Sequence, residues 1–257
     1  MKYLQFINTA SRSELDGATV AAWSVRRRGN LPENTRYILY TQEPEKARQD
    51  ETAAAVFDAI EPPPVDMEWF KSRPWNLFRV PHRRYILKNR RFIHWVLWLK
   101  FCCWLDTPTD GEPVIFADYD TLCFGSIREA IPGAGYKYAG RRNVRTNGSC
   151  NGGFLIKTPE FTEKDAAIMK EPLRNVRTYA AASFLWRYDD EMATAWYAKE
   201  AGMAHFYPLE PKFNRRIQAH VKVLFHHIPI EVKGNQRHTT GKGHGSMRCG
   251  IVTRGCQ

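Results

Sequence analysis

Asp118 and Asp120 stand one residue apart at the end of the apolar run Val114-Ile115-Phe116-Ala117. Alternation along a strand puts such a pair on one face, so both carboxylates can aim at one point as a buried strand leaves the core. Two hard oxygen donors at one point suit magnesium or manganese, whose coordination is commonly completed by water and substrate phosphates. An isolated D-x-D is more often a solvated turn, so the surrounding elements have to decide between phosphate chemistry and a simple exit from a sheet.

Those elements read as an alternation of strands and helices. Residues 3–7 form a first strand, residues 8–12 a polar turn capping a helix over residues 14–28, and residues 36–41 a second strand. An alanine-rich helix over residues 51–60 stops at Pro62-Pro63-Pro64. This order starts an α/β sheet, and Asn8, Thr9 and Ser11 fall where such a sheet presents its ligand crevice. A long helix from Pro81 to residue 105 carries Ile86, Ile93, Val96 and Leu97 on one face, with Lys100 on that same face. An ammonium there either snorkels to an edge or meets an anion.

Beyond the D-x-D, a short helix is expected over residues 126–130 and strands over residues 136–139 and 154–156. The polar loop between those strands holds Arg141, Arg142, Arg145 and Asn151-Gly152-Gly153, whose glycines permit either a close ligand or a plain hairpin. Helical patterns follow over residues 166–170 and 190–201. At the start of the second, Asp189, Asp190 and Glu191 either complement the helix dipole or face a ligand.

Composition narrows the class. With 257 residues and 43% hydrophobic content the chain can bury a substantial core. It contains no apolar run of spanning length and no secretory pattern at its start, so the expected location is cytoplasmic. The six cysteines show no C-x-x-C spacing, which argues for reduced thiols. The net charge of +11 is uneven: residues 69–105 carry nine Lys or Arg and no acid, and residues 212–257 nine more against Glu231 alone. Such patches attract nucleic acid, anionic membrane or phosphorylated substrates. In the first patch Trp69, Phe70, Trp75, Phe78, Tyr85, Phe92 and Trp95 interleave with the basic residues, a combination that serves either a core or base stacking.

Taken in order, these stretches resemble the glycosyltransferases of the GT-A fold. Residues 114–122 look like that family's apolar strand followed by D-x-D, and Trp98-Leu99-Lys100-Phe101 like the upstream helix presenting a Lys to the donor. Asn151-Gly152-Gly153-Phe154 is similar to the next strand, Asp189-Asp190-Glu191-Met192-Ala193 to the following helix start, and Leu209-Glu210-Pro211-Lys212-Phe213-Asn214 to the strand behind it. His227 and Lys233 resemble the closing H-x-x-G-x-x-K-P-W motif of retaining hexosyltransferases related to glycogenin and bacterial galactosyltransferases. Here Ile230 stands at the motif glycine, Gly234-Asn235 replaces Pro-Trp, and His226 competes with His227 as ligand.

The resemblance implies one Rossmann-like GT-A domain over residues 1–233, α/β with a mixed central sheet flanked by helices. A Gly-rich basic tail, lid or disordered, would occupy residues 234–257. It implies manganese or magnesium on Asp118, Asp120 and His227, and a nucleoside-diphosphate sugar, UDP-linked, as co-substrate. Asn8, Thr9, Ser11, Lys100, Asp118, Tyr119, Gly152, Gly153 and Lys233 would contact the donor and Asn151 and Asp190 would face the sugar, while an inverting enzyme would use Asp190 or Glu191 as general base at the acceptor hydroxyl. The expected reaction is transfer to a hydroxyl acceptor with retention. The basic charge favours a polyanion such as hydroxymethylated DNA, or a lipid or polysaccharide at an anionic membrane. The rival of another class is a non-catalytic, basic nucleic-acid-binding protein.

Overall fold

The computed structural model describes residues 1–73, 90–142, 150–175, 190–210 and 212–213. Seven strands form one mixed sheet: β1 Lys2–Ile7, β2 Arg36–Thr41, β3 Ala59–Glu61, β4 Val114–Ala117, β5 Tyr138–Arg142, β6 Cys150–Lys157 and β7 Phe206–Pro208. Their order is β3-β2-β1-β4-β6-β5-β7. The left half, β3 to β4, is parallel, and β6 runs antiparallel to both β4 and β5. The expected α/β architecture with a mixed sheet is the one observed.

The helices are α1 Arg12–Arg28, α2 Pro44–Arg48, α3 Glu51–Val56, α4 Met67–Lys71, α5 Arg90–Asp106, α6 Glu163–Arg174 and α7 Asp190–Ala201. Strand alternation sorts the core into two layers. Leu4, Phe6, Val114, Phe116 and Leu155 pack with α5, α6 and α7, while Tyr3, Ile7, Ile115, Ala117 and Ile156 pack with α1 and α3. Central strands buried on both faces read as continuous apolar runs, which is why the 114–117 segment was conspicuous.

Three expectations need correction, and a fourth is described only in part. The alanine-rich helix ends at Val56 and residues 59–61 add the edge strand β3, because pairing with β2 outweighs the local helical preference of so short a segment. The 126–130 helix is a single 3₁₀ turn, Arg128–Ala130. Arg141 and Arg142 belong to β5, and Asn151-Gly152-Gly153 lies inside β6, not in a loop, since it runs between the Cys150 and Leu155 pairings with β5. The long basic helix is described from Arg90; residues 81–89 lie outside the described residues.

The basic segment's described aromatics are largely spent on packing. Phe70 is fully buried and meets Trp95 edge-on at 4.7 Å, and Trp69 packs on the same layer beneath Arg73 and Lys170. Trp75, Phe78 and Tyr85 lie outside the described residues, as does the side chain of Phe92. Among the described residues, no helix is long and apolar enough to cross a membrane.

A buried lysine closes the far end of the sheet. Lys157, the last residue of β6, is 2% exposed and donates to the carbonyls of Leu105 (2.8 Å) and Thr107 (2.5 Å). Burial pulls its ammonium down to about 7, with the Asp106 carboxylate pulling partly back. In the unfolded chain the same group titrates near ~10.4. Between those values the unfolded state binds the extra proton, so this residue's penalty fades as pH rises. The unfolding free energy of the wild type should therefore gain on that of Lys157→Met by up to about 2 kcal/mol between roughly pH 7 and 9. A difference that stays flat across that range in urea titrations would refute the assignment.

Candidate functional site

The site forms where β1 and β4 end and β6 begins. Asp118 follows β4 directly, and its N–H donates to the Gly153 carbonyl (2.9 Å), carrying the β4–β6 ladder one step past Ala117 and Phe154. Asn151, Gly152 and Gly153 are therefore brought against the D-x-D. The Asn151 Oδ1 accepts from the Gly153 N–H (2.9 Å), which fixes the orientation of the Asn151 amide at the strand's mouth.

The Thr121 N–H donates to the Asp118 carbonyl (3.0 Å), so Asp118 to Thr121 is a tight turn. The expectation that strand alternation aligns the two carboxylates is thus replaced: Asp118 is half-buried at the strand end and Asp120 is exposed at the turn. Tyr119 lies between them. Burial raises its phenol, and the carboxylates of Glu14, Asp120 and Asp118 raise it further, while Lys100 opposes them.

Lys100 resolves its sequence ambiguity in favour of an anion. The residue is 9% exposed and its Nζ donates to Asp118 Oδ1 at 2.8 Å. A charged donor and acceptor at that distance, away from bulk water, form a strong and directional pair. Lys100 comes from the core face of α5, between the buried Leu99 and Phe101.

The β1 edge adds a polar rim. Buried Asn8 accepts from Gln42 Nε2 (2.6 Å) through Oδ1. The Thr9 N–H and hydroxyl both donate to Glu14 (2.8 and 2.9 Å), and the Ala10 N–H donates to Glu43 (2.8 Å). Ser11 is the N-cap of α1, its hydroxyl accepting from the Glu14 N–H, so a structural duty accounts for it.

Helix α7 is pinned to the same corner. The Cys150 N–H donates to Thr194 Oγ1 (3.0 Å), and that hydroxyl donates to the Glu191 carbonyl (2.8 Å). The first turn of α7, with Asp190 and half-buried Glu191, is thereby held beside the opening residues of β6. Asp189, His226, His227 and Lys233 lie outside the described residues, as does the tail from residue 234. Among the described residues, no group of three His, Cys, Asp or Glu side chains is assembled to hold a metal.

No protein-family model matches the sequence, and no curated protein matches it in sequence. Among solved structures, the galactosyltransferase LgtC in complex with donor and acceptor sugar analogs aligns with a TM-score of 0.51 at 15% identity. That alignment covers 83% of this chain and 74% of LgtC. Mouse xyloside xylosyltransferase 1 in its apo form aligns with a TM-score of 0.51 at 14% identity, over 82% of this chain and 86% of its own. The fold is GT-A glycosyltransferase-like. In this GT-A frame the D-x-D, Lys100 and the Asn-Gly-Gly stretch converge on one edge, in the order the sequence suggested.

Sequence reasoning missed Glu14, Gln42 and Glu43 as rim residues, and Gly17 beneath the D-x-D. The Ser11-x-x-Glu14 spacing of a capping box was the available signal for Glu14, although its carboxylate turns back to Thr9 instead. Gly17 sits mid-helix, where glycine costs about 1 kcal/mol relative to alanine. A Cβ there would meet Tyr119 Cδ2 at 3.0 Å and the Tyr119 carbonyl at 3.3 Å. The glycine thus lets the D-x-D turn settle on α1. We expect Gly17→Val to lower the melting temperature, and Tyr119→Ala to recover part of that loss, with a coupling of about 1 kcal/mol in a double-mutant cycle. Additive effects would show that the two residues do not press on each other.

Proposed function

We propose that this protein is a glycosyltransferase that moves a sugar from a nucleoside-diphosphate donor, UDP-linked, to a hydroxyl acceptor with retention at the transferred carbon. The observation that carries the reading is the Lys100–Asp118 pair at 2.8 Å, set against Asn151-Gly152-Gly153 at the carboxyl edge of a GT-A-like sheet. LgtC and xyloside xylosyltransferase 1, which share the fold, are by name galactosyl- and xylosyltransferases, and this lends the reading further support.

The chemistry asks for positive charge at a leaving diphosphate. Lys100 supplies one fixed charge at the strand end, held in place by Asp118. The donor set fits a divalent cation: one Asp118 oxygen is engaged by Lys100, and the other, with the exposed Asp120 carboxylate, gives the few hard oxygens that magnesium or manganese takes alongside water and phosphates. His227 is assigned as the third ligand and Lys233 as a diphosphate contact by resemblance. Such a cation would supply Lewis acidity toward the departing diphosphate.

The remaining residues have roles set by position. The Asn8–Gln42 amide pair and Thr9 line the rim where a base and ribose would lie. Glycines at 152 and 153 leave room for the donor to approach the β6 backbone. Asn151, Asp190 and Glu191 lie at the mouth of β6 and the start of α7, suited to orienting sugar hydroxyls or stabilising an oxocarbenium-like transition state. The DNA-acceptor reading loses the support of Phe70 and Trp95, which pack against each other rather than offering base-stacking surfaces.

A thermal-shift and hydrolysis screen of nucleotide sugars, with and without manganese, tests this directly. A UDP-sugar should raise the melting temperature and be turned over in the presence of the metal. Asp118→Asn, Asp120→Asn and Lys100→Met should each lower turnover by about 10²-fold or more. If no nucleotide sugar stabilises the protein or is consumed, and Asp120→Asn changes nothing, sugar transfer is the wrong assignment.

A further inference from the structure

The end of α1 and the loop after the D-x-D carry a basic and aromatic surface that sugar transfer does not use. The Cys123 N–H donates to Ser24 Oγ (2.9 Å) and the Ile127 N–H to the Gly29 carbonyl (2.9 Å), stitching the loop to the last turns of the helix. Flanking the first of these bonds, Trp23 and Phe124 are 49% and 56% exposed, the two most exposed large hydrophobic residues described. Arg27, Arg28 and Arg128 are exposed on the same two segments, and none has an acidic partner among the described residues.

The charge here is one-sided. Residues 18–29 and 121–128 contain four arginines and no acid. Arg26 is engaged by Asp58, and the neighbouring Glu129 is held by Lys212 at 2.8 Å, so the three free guanidinium groups dominate the surface. Beside Phe124 an apolar recess of about 240 Å³ opens, lined by Val25, Leu122, Phe124, Ile127, Phe154 and Phe213. An arginine fringe around exposed aromatic side chains and an apolar recess is complementary to a surface with phosphate outside and hydrocarbon beneath.

We infer that this face, Trp23, Arg27, Arg28, Phe124 and Arg128, docks the protein onto an anionic lipid bilayer. The arginines meet lipid phosphates and the two aromatic side chains enter the boundary between headgroups and acyl chains. A bilayer fits better than a nucleic acid. The Arg27 guanidinium covers the Trp23 ring at 5.4 Å, which takes a ring face away from base stacking, and the recess offers hydrocarbon surface to which a base or phosphate gains little. Phe124 follows Asp120 by four residues, so docking would bring the D-x-D edge toward acceptors carried in the membrane.

Co-sedimentation of the full chain with vesicles tests the inference without any sugar substrate, so its outcome is independent of the transferase reading. Vesicles of phosphatidylcholine containing about 30% phosphatidylglycerol should bind the wild type, and pure phosphatidylcholine should bind it far less. The double variant Arg27→Glu/Arg28→Glu should lose at least about tenfold in partitioning, at roughly 1 kcal/mol per basic residue before reversal adds repulsion. Phe124→Ser should lose binding that persists at high salt. Lys199→Glu, exposed on α7, serves as the control and should partition like the wild type. The inference is overturned if the variants bind vesicles like the wild type, or if the Lys199 control falls as far. It is equally overturned if Arg27→Glu/Arg28→Glu abolishes binding to a short DNA duplex while leaving vesicle binding intact. Unchanged melting temperatures of the surface variants confirm that the fold is retained.

Discussion

A lysine on the core face of a helix must find an anion, and Lys100 finds the first carboxylate of the D-x-D. Burying an unpaired ammonium is strongly unfavourable, and breaking a buried pair typically costs about 3–5 kcal/mol because the surviving charge is stranded. The pair therefore ties the position of α5 against the sheet to the position of Asp118 at its edge. The packing of Leu99 and Phe101 on either side fixes the lysine stem, and the lysine fixes the carboxylate. Whatever occupies this corner meets a carboxylate whose orientation has been set by the core.

The change of strand direction supplies the rest of the constraint. β1 and β4 run parallel and deliver their carboxyl ends to one edge, while β6 starts from that same edge because it is antiparallel. One edge thus receives Asn8 and Thr9 from one strand, Asp118 from the next and Asn151 from the third. Ligand crevices of open α/β sheets form outside the carboxyl ends of the strands where the strand order switches sides, and here that point lies between β1 and β4. The Thr194 bridge adds α7 to the group through a single hydroxyl that accepts from β6 and donates within its own helix.

The legible part of this arrangement was the part with local causes. The apolar run before Asp118, the placement of Lys100 three and four residues after Leu97 and Val96, and the polar turn after β1 all follow from periods within one segment. The illegible part depended on neighbours distant in sequence. Asn151-Gly152-Gly153 reads as a loop by composition and becomes strand between the pairings of Cys150 and Leu155 with β5, with the Gly153 carbonyl taking the Asp118 N–H beyond β4. Residues 59–61 become β3 only beside β2. Gly17 looks like a weakness in α1 until Tyr119 occupies the space its Cβ would need.

Two buried lysines of the same domain show how position decides function. Lys100 and Lys157 both descend from apolar elements, yet Lys100 reaches a carboxylate at 2.8 Å whereas Lys157 reaches only the carbonyls that end α5. The nearby Asp106 is itself engaged by Lys170, so it cannot give Lys157 a full counter-charge. A carbonyl dipole satisfies the hydrogens of an amine without balancing an ammonium, and burial accordingly shifts Lys157 toward its neutral form. A neutral amine suits a structural plug at the closed end of the sheet. At the open end Lys100 meets a full counter-charge instead, and that counter-charge is the first carboxylate of the D-x-D.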